Sequence, residues 1–265
     1  MKSIIACPIL LLSSMTAGAQ YQSLYSYQKK VFNRDGDTLR YRILYPLNYD
    51  ENKKYPLVLF LHGSGERGRD NSHQLIHGGT LFSDSANRKN FPAIVIFPQC
   101  TPEDYWARVI HLQDLTDSTP YINEYLMDVP PGKSLNLVME LLDTMATTKS
   151  VNNKKIYVMG VSMGAMGTYE ILWRKPHFFA AAVPICGGGN VNSVKLYAKK
   201  FPIWVFHGDS DRVVPVTDSR KMVAALKQAG AKVKYTEYPG VNHNSWDDAF
   251  ADKKLLPWLF ARKRK

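Results

Sequence analysis

Lys155-Ile156-Tyr157-Val158-Met159-Gly160-Val161-Ser162-Met163-Gly164 is the stretch whose reading decides the fold. Its first five residues read as a β-strand, and the residues after Gly164 read as a helix. The Gly-x-Ser-x-Gly pentapeptide at 160–164 therefore falls on a strand-to-helix turn. A serine held on so sharp a turn needs neighbours without side chains, which gives Gly160 and Gly164 a mechanical reason. Taken alone, the pentapeptide is also the pattern of an ordinary Gly/Ser turn. The strand before it, the helix after it and the residues downstream make it a nucleophile elbow.

A serine hydroxyl is a weak nucleophile at neutral pH. Ser162 needs a base, and the base needs a carboxylate to fix its tautomer and stabilise the imidazolium. Downstream, the apolar run Pro202-Ile203-Trp204-Val205-Phe206 ends in His207-Gly208-Asp209-Ser210-Asp211-Arg212-Val213-Val214-Pro215, which sets two carboxylates just past a strand end. Asp211 is the candidate acid, with Asp209 the alternative. The β-like run 232–238 leads through Pro239-Gly240 to Asn242-His243-Asn244-Ser245-Trp246, a polar loop before the last helix. No other histidine lies C-terminal to Asp211, so His243 is the candidate base.

On these residues the chain resembles the α/β-hydrolase superfamily, and within it the small extracellular esterases of the feruloyl-esterase, polyhydroxybutyrate-depolymerase and predicted-peptidase kind. The resemblance runs from about residue 41 to about residue 260 and rests on four motifs in the expected order. Leu61-His62-Gly63-Ser64-Gly65-Glu66-Arg67-Gly68 looks like the oxyanion loop, residues 160–164 match the elbow, 207–215 the acid loop and 241–246 the histidine loop. The resemblance implies a mostly parallel central sheet with an antiparallel N-terminal hairpin and helices on both faces. It also implies a Ser162-Asp211-His243 triad. An oxyanion hole would come from the backbone N–H groups of Met163 and of the Ser64 or Gly65 region, and losing one such donor typically costs about 10²–10³ in rate.

Met1-Lys2, an apolar stretch over 4–12 and Ala17-Gly18-Ala19-Gln20 have the form of a secretory signal peptide cleaved after Ala19. The expected product is one exported catalytic domain over 20–265, secreted or periplasmic, with no later run long enough to cross a bilayer. Cys7 precedes Pro8 inside the apolar stretch and is a poor lipidation site. Of the three cysteines only Cys100 and Cys186 survive cleavage. In the strand order that the resemblance implies, two strands separate them. That distance, about 14 Å, is beyond disulfide reach, so both are expected as free, buried thiols. A net charge of +11 is spread over the chain. It reads as a solvated basic surface, with attraction to acidic polysaccharide or an anionic envelope the functional alternative. Nothing in the chain carries a nucleic-acid-binding motif.

The runs 25–32 and 38–45 flank Asp35-Gly36, a strong hairpin signal. Helices are expected over 135–145, 163–173, 219–228 and 246–260, the first carrying Leu135, Val138, Met139, Leu142 and Met145 on one face. Strands alternating with helices mean right-handed crossovers and a parallel sheet covered on both sides. His73 and His77 are four apart without the glutamate of His-Glu-x-x-His, so no metal is expected there. There is neither a P-loop nor a Gly-x-Gly-x-x-Gly fingerprint, and a serine mechanism needs no cofactor. The segment 99–132, the longest without clear periodicity, follows a strand next to the nucleophile strand and is expected to border the pocket. Gln99, Tyr105 and Trp106 within it, with Trp246 behind His243, are the candidate substrate contacts. The functional reading is a secreted serine carboxylic-ester hydrolase acting on acylated or feruloylated polysaccharide. A serine peptidase of related fold and a catalytically silent binding protein are the alternatives.

Overall fold

A computed structural model describes residues 24–113 and 121–264. The expected signal at 1–19 with Cys7, the middle of the 99–132 segment and Lys265 lie outside the described residues. Among the described residues ten strands are formed. They are β1 (Gln28–Arg34), β2 (Asp37–Leu44), β3 (Tyr55–Leu61), β4 (Ile94–Gln99), β5 (Val109–Gln113), β6 (Tyr121–Tyr125), β7 (Val151–Val161), β8 (Ala181–Ile185), β9 (Ile203–Gly208) and β10 (Val233–Tyr238). Eight of them make one sheet in the order β1-β2-β4-β3-β7-β8-β9-β10. β1 pairs antiparallel with β2 around Asp35-Gly36, and β2 runs antiparallel to β4. From β4 to β10 every pairing is parallel.

Parallel strands in such a sheet are covered on both sides, so they read as continuous apolar runs rather than alternating ones. β3 shows it, for Leu57, Val58, Leu59, Phe60 and Leu61 are all fully buried. Successive side chains still point to opposite faces. Leu57, Leu59 and Leu61 join Ile156, Val158 and Val205 in one core layer, whereas Val58 and Phe60 join Tyr157, Met159 and Phe206 in the other.

The helices are α1 (Gly79–Ser83), α2 (Ser85–Asn90), α3 (Lys133–Ala146), α4 (Met163–Arg174), α5 (Val216–Gln228), α6 (Trp246–Ala251) and α7 (Leu255–Phe260). α3, α4 and α5 cover the first face, and α1, α6 and α7 supply residues to the second. α3 buries Leu135, Val138, Leu142 and Met145 as its spacing predicts, together with Leu137 and Leu141.

Two expectations are corrected. The last helix is two, because Asp252 leaves the helical region and its carboxylate accepts from the Lys254 amide at 2.8 Å, restarting the chain as α7. The 99–132 segment is not irregular throughout, since β5 and β6 pair with each other as a separate antiparallel hairpin. Cys100 and Cys186 are free and buried, on β4 and β8 ends with β3 and β7 between. Burial raises both thiols, Cys100 to about 12, so they stay protonated. No helix among the described residues is long and apolar enough to cross a membrane.

Candidate active site

The parallel strands present their C-terminal ends on one side of the sheet, where loops can gather side chains from several strands at once. Ser162 follows β7, Asp211 lies three residues past β9 and His243 five past β10. Ser162 has φ +54°, a region that L-residues avoid. Its amide donates to Ile185 O at 2.9 Å, and its carbonyl accepts from Ala165 and Met166 to open α4. The two elbow glycines are required by contact. A Cβ on Gly160 would come within 2.1 Å of Gly164 O, and one on Gly164 within 1.9 Å of Leu61 O. Glycine thus lets the oxyanion-like loop after β3 lie directly against the serine turn.

The sequence-predicted trio is brought together. Ser162 Oγ lies 2.9 Å from His243 Nε2, and His243 Nδ1 lies 2.7 Å from Asp211 Oδ2. The other carboxylate oxygen of Asp211 accepts from the Val213 and Val214 amides at 2.8 and 2.9 Å. Burial alone would raise this carboxyl, but hydrogen bonds from His207, His243 and the Val214 amide outweigh it and hold Asp211 well below the usual carboxylate range. It is therefore an anion that keeps the histidine tautomer in which Nε2 faces the serine. Asp209 is an exposed turn residue instead, its carboxylate accepting from the Gly240 amide at 2.7 Å and from Ser210 Oγ at 2.8 Å.

His207 is a part of this arrangement that sequence reasoning passed over. Fully buried, it places Nε2 3.1 Å from Asp211 Oδ2 and Nδ1 2.7 Å from Ser219 Oγ, which in turn donates to Gly187 O at 2.8 Å. The carboxylate is thus gripped by His207 from β9, by the amides of its own loop and by His243, and His207 is in turn held by Ser219 of α5. The signal was present, since His207 opens the acid-loop motif.

Among the described residues the amide N–H groups of Met163, Ser64 and Gly65 have no acceptor, as donors waiting for a developing oxyanion should. The loop bearing Ser64 and Gly65 is braced from below. Trp106 is fully buried and donates from Nε1 to His62 O at 3.1 Å. His62 accepts the Cys100 amide at Nε2, at 3.0 Å, and reaches Gly63 O at 2.6 Å through Nδ1, so its neutral ring serves both bonds. Gln99, 2% exposed, contacts the Asn71 amide, Glu66 O and Asp70 Oδ2. Trp106 and Gln99 therefore do not wall the pocket as expected, because their polar atoms and surfaces are spent inside the fold.

Tyr105 does wall it. A cavity of about 470 Å³ opens beside Ser162, with Tyr105, Met166, Val213 and Val214 among its apolar lining and Ser64 and Arg67 among its polar lining. The hairpin contributes Val109, His111 and Asn123. It is tethered to α5 by Asp218, whose Oδ2 accepts from Asn123 Nδ2 at 2.9 Å and Tyr125 OH at 3.2 Å. A separate cleft of about 400 Å³ near Tyr45, Tyr49 and Ser150 lies at the opposite, N-terminal strand ends, where Ser150 Oγ accepts from Tyr49 OH and no histidine is among the lining residues. Trp246 stands edge-on to His243, ring centres 5.4 Å apart. Cys186, Asp211 and His243 bring ligand-type atoms within 4.8 Å of one another. They suit a metal poorly, since the buried thiol stays protonated and the other two already hold each other.

The sequence over residues 114–255 matches the family described as phospholipase/carboxylesterase, a span that contains Ser162, Asp211 and His243. A bifunctional acetylxylan esterase/xylanase of Neocallimastix patriciarum is 29% identical over 160 residues, which are 54% of this chain and 24% of that protein. This chain thus spans about a quarter of that relative. A probable carboxylesterase of Oryza sativa subsp. japonica is 26% identical over 73% of this chain and 83% of its own length. Among solved structures, a thermostable esterase superposes with TM-score 0.80 at 34% identity, covering 92% of this chain and 64% of that one.

Proposed function

Starting from the fact that the chain belongs to the phospholipase/carboxylesterase family of α/β-hydrolases and is a hydrolase, we propose that it is an exported serine esterase working through a Ser162-His243-Asp211 triad and an acyl-enzyme. The observation that carries this reading is the continuous hydrogen-bonded chain from Ser162 Oγ through His243 to Asp211, at 2.9 and 2.7 Å. Ser162 Oγ attacks the ester carbonyl carbon as its proton passes to His243 Nε2. The carbonyl oxygen becomes an oxyanion received by the N–H groups of Met163 and of Ser64 or Gly65. Collapse expels the alcohol, which takes the proton back from His243. Water then repeats the sequence on the acyl-enzyme and releases the acid.

Acylated or feruloylated polysaccharide is the substrate in this reading, supported by the acetylxylan esterase name of one relative and by the aromatic and aliphatic cavity wall. Residues 1–19 are the export signal and 20–265 one catalytic domain. The N-terminal residue of the exported protein is expected to be Gln20, and an intact Met1 on exported material would refute that. The activity is tested on p-nitrophenyl acyl esters, feruloyl esters and aminoacyl amides side by side. Ser162→Ala should lower kcat by about 10⁴ or more on the esters without unfolding the chain, whereas a variant keeping a tenth of the activity would end the assignment. Asp211→Asn, which favours the wrong histidine tautomer, should cost up to about 10⁴, and Asp209→Asn far less.

A further inference from the structure

Glu66, His77 and Trp246 remain without a role in that chemistry. Glu66 is only 8% exposed, although it is a carboxylate. Its Oε1 lies 3.6 Å from His77 Nε2, a long contact, and its Oε2 has no hydrogen-bond donor among the described residues. A methyl group placed on Gly63 would meet Glu66 Oε2 at 2.9 Å and Ser162 Cβ at 3.6 Å. The unpartnered oxygen and the side chain of the nucleophile therefore both lie close against the α-carbon of Gly63. The His77 ring packs on Trp246 at 4.7 Å, and Trp246 meets His243 at 5.4 Å. Carboxylate, imidazole and indole thus form one connected wall that reaches the catalytic histidine. None of the three lines the apolar cavity beside Ser162.

A carboxylate buried beside the place where an oxyanion develops is unfavourable on two counts. It loses most of its hydration, Oε2 keeping only a partial contact with solvent, and it repels the charge of the transition state. A long contact to a partly exposed histidine is weak compensation. A hydroxyl donated to Oε2 would satisfy the oxygen with a charge-assisted bond. An ester has two halves, and the apolar cavity suits an acyl group. A carboxylate acceptor, an imidazole and an indole face suit an alcohol that carries several hydroxyls on a ring with an apolar C–H face. We propose that Glu66, His77 and Trp246 are the alcohol subsite of this enzyme, and that it takes a sugar whose free hydroxyl, next to the esterified one, donates to Glu66 Oε2. The inference rests on the esterase reading above and names the leaving group within it.

The test compares kcat/KM on a partially acetylated xylo-oligosaccharide with kcat/KM on p-nitrophenyl acetate, whose alcohol has no further hydroxyl. Glu66→Gln keeps the volume and removes the charge, and His77→Ala removes the second polar group. In Glu66→Gln the ratio of sugar ester to nitrophenyl ester is expected to fall about tenfold or more, the loss of one charged hydrogen bond, and in His77→Ala it is expected to fall about threefold or more, the loss of a neutral contact to the sugar. Proportional losses on both substrates would make the pair a brace for the loop and overturn the subsite, as would an unchanged ratio. Should Glu66→Gln fail to fold, His77→Ala carries the same comparison from a partly exposed position. If the wild type cleaves p-nitrophenyl acetate in a Ser162-dependent way but not the sugar ester, the subsite falls and the esterase reading stands. If it cleaves neither, the esterase reading itself falls and takes the subsite with it.

Discussion

His62 shows how one residue's chemistry is set by where the fold stores it. Its ring lies beneath the loop that carries Ser64 and Gly65, where burial lowers its pKa from 6.5 to about 4. The unfolded chain therefore binds a proton that the native state refuses. Stability from this site is complete above about pH 6.5 and is lost as the pH falls towards 4, by roughly 3 kcal/mol in all. Melting temperature followed from pH 7 to pH 4.5 should drop steeply in the wild type and less steeply in His62→Gln, which cannot titrate. Parallel curves would refute the account. At this scale the sequence was readable wherever chemistry demands a residue type. Ser162, Asp211 and His243 fall within hydrogen-bond reach of one another as their order along the chain predicts. Glu66 and His207 were missed because a carboxylate in a loop and a histidine at a strand end look ordinary until the partners that surround them are seen.

The same contrast holds for elements. Tyr105 and Trp106 are adjacent in sequence and alike in composition, yet one faces the cavity while the other is fully buried under the loop after β3. Trp106→Ala should therefore empty a core site, cost about 3–5 kcal/mol, lower the melting temperature and depress hydrolysis of every ester alike. Tyr105→Ala should mainly change the ratio of bulky aromatic to acetyl esters, since wall area acts on groups large enough to reach it. Selectivity shifted by Trp106→Ala at unchanged melting temperature would reverse the two roles. No sequence signal separates neighbours of this kind, because exposure is a property of packing. The β5–β6 hairpin was hidden for a related reason. Its strands pair only with each other, and Ile110 and Leu112, which alternate with His111 and Gln113, are exposed together with Ile122 rather than turned to a core, over a run of only five residues. β3, β4 and β7 were plain by contrast, since burial on both faces writes itself as an unbroken apolar run.

Across the whole molecule, the reacting groups are dealt to strands of unequal security. β7, with Ser162 at its end, is flanked by β3 and β8, while β10, which leads to His243, is the last strand of the sheet and bonds only to β9. Its residues are mostly half-exposed. Outer strands with little buried apolar surface open locally at a lower free energy than the centre. Warmed short of its melting point, this protein should stall because its base has wandered from a nucleophile that is still in place. Hydrolysis assayed at each temperature is expected to fade several degrees below the calorimetric transition and to return in full on cooling. Coincident curves would mean that the rim is held as firmly as the middle. Heat tolerance would then be improved most directly by fastening β10 to its neighbour, with the core left as it is.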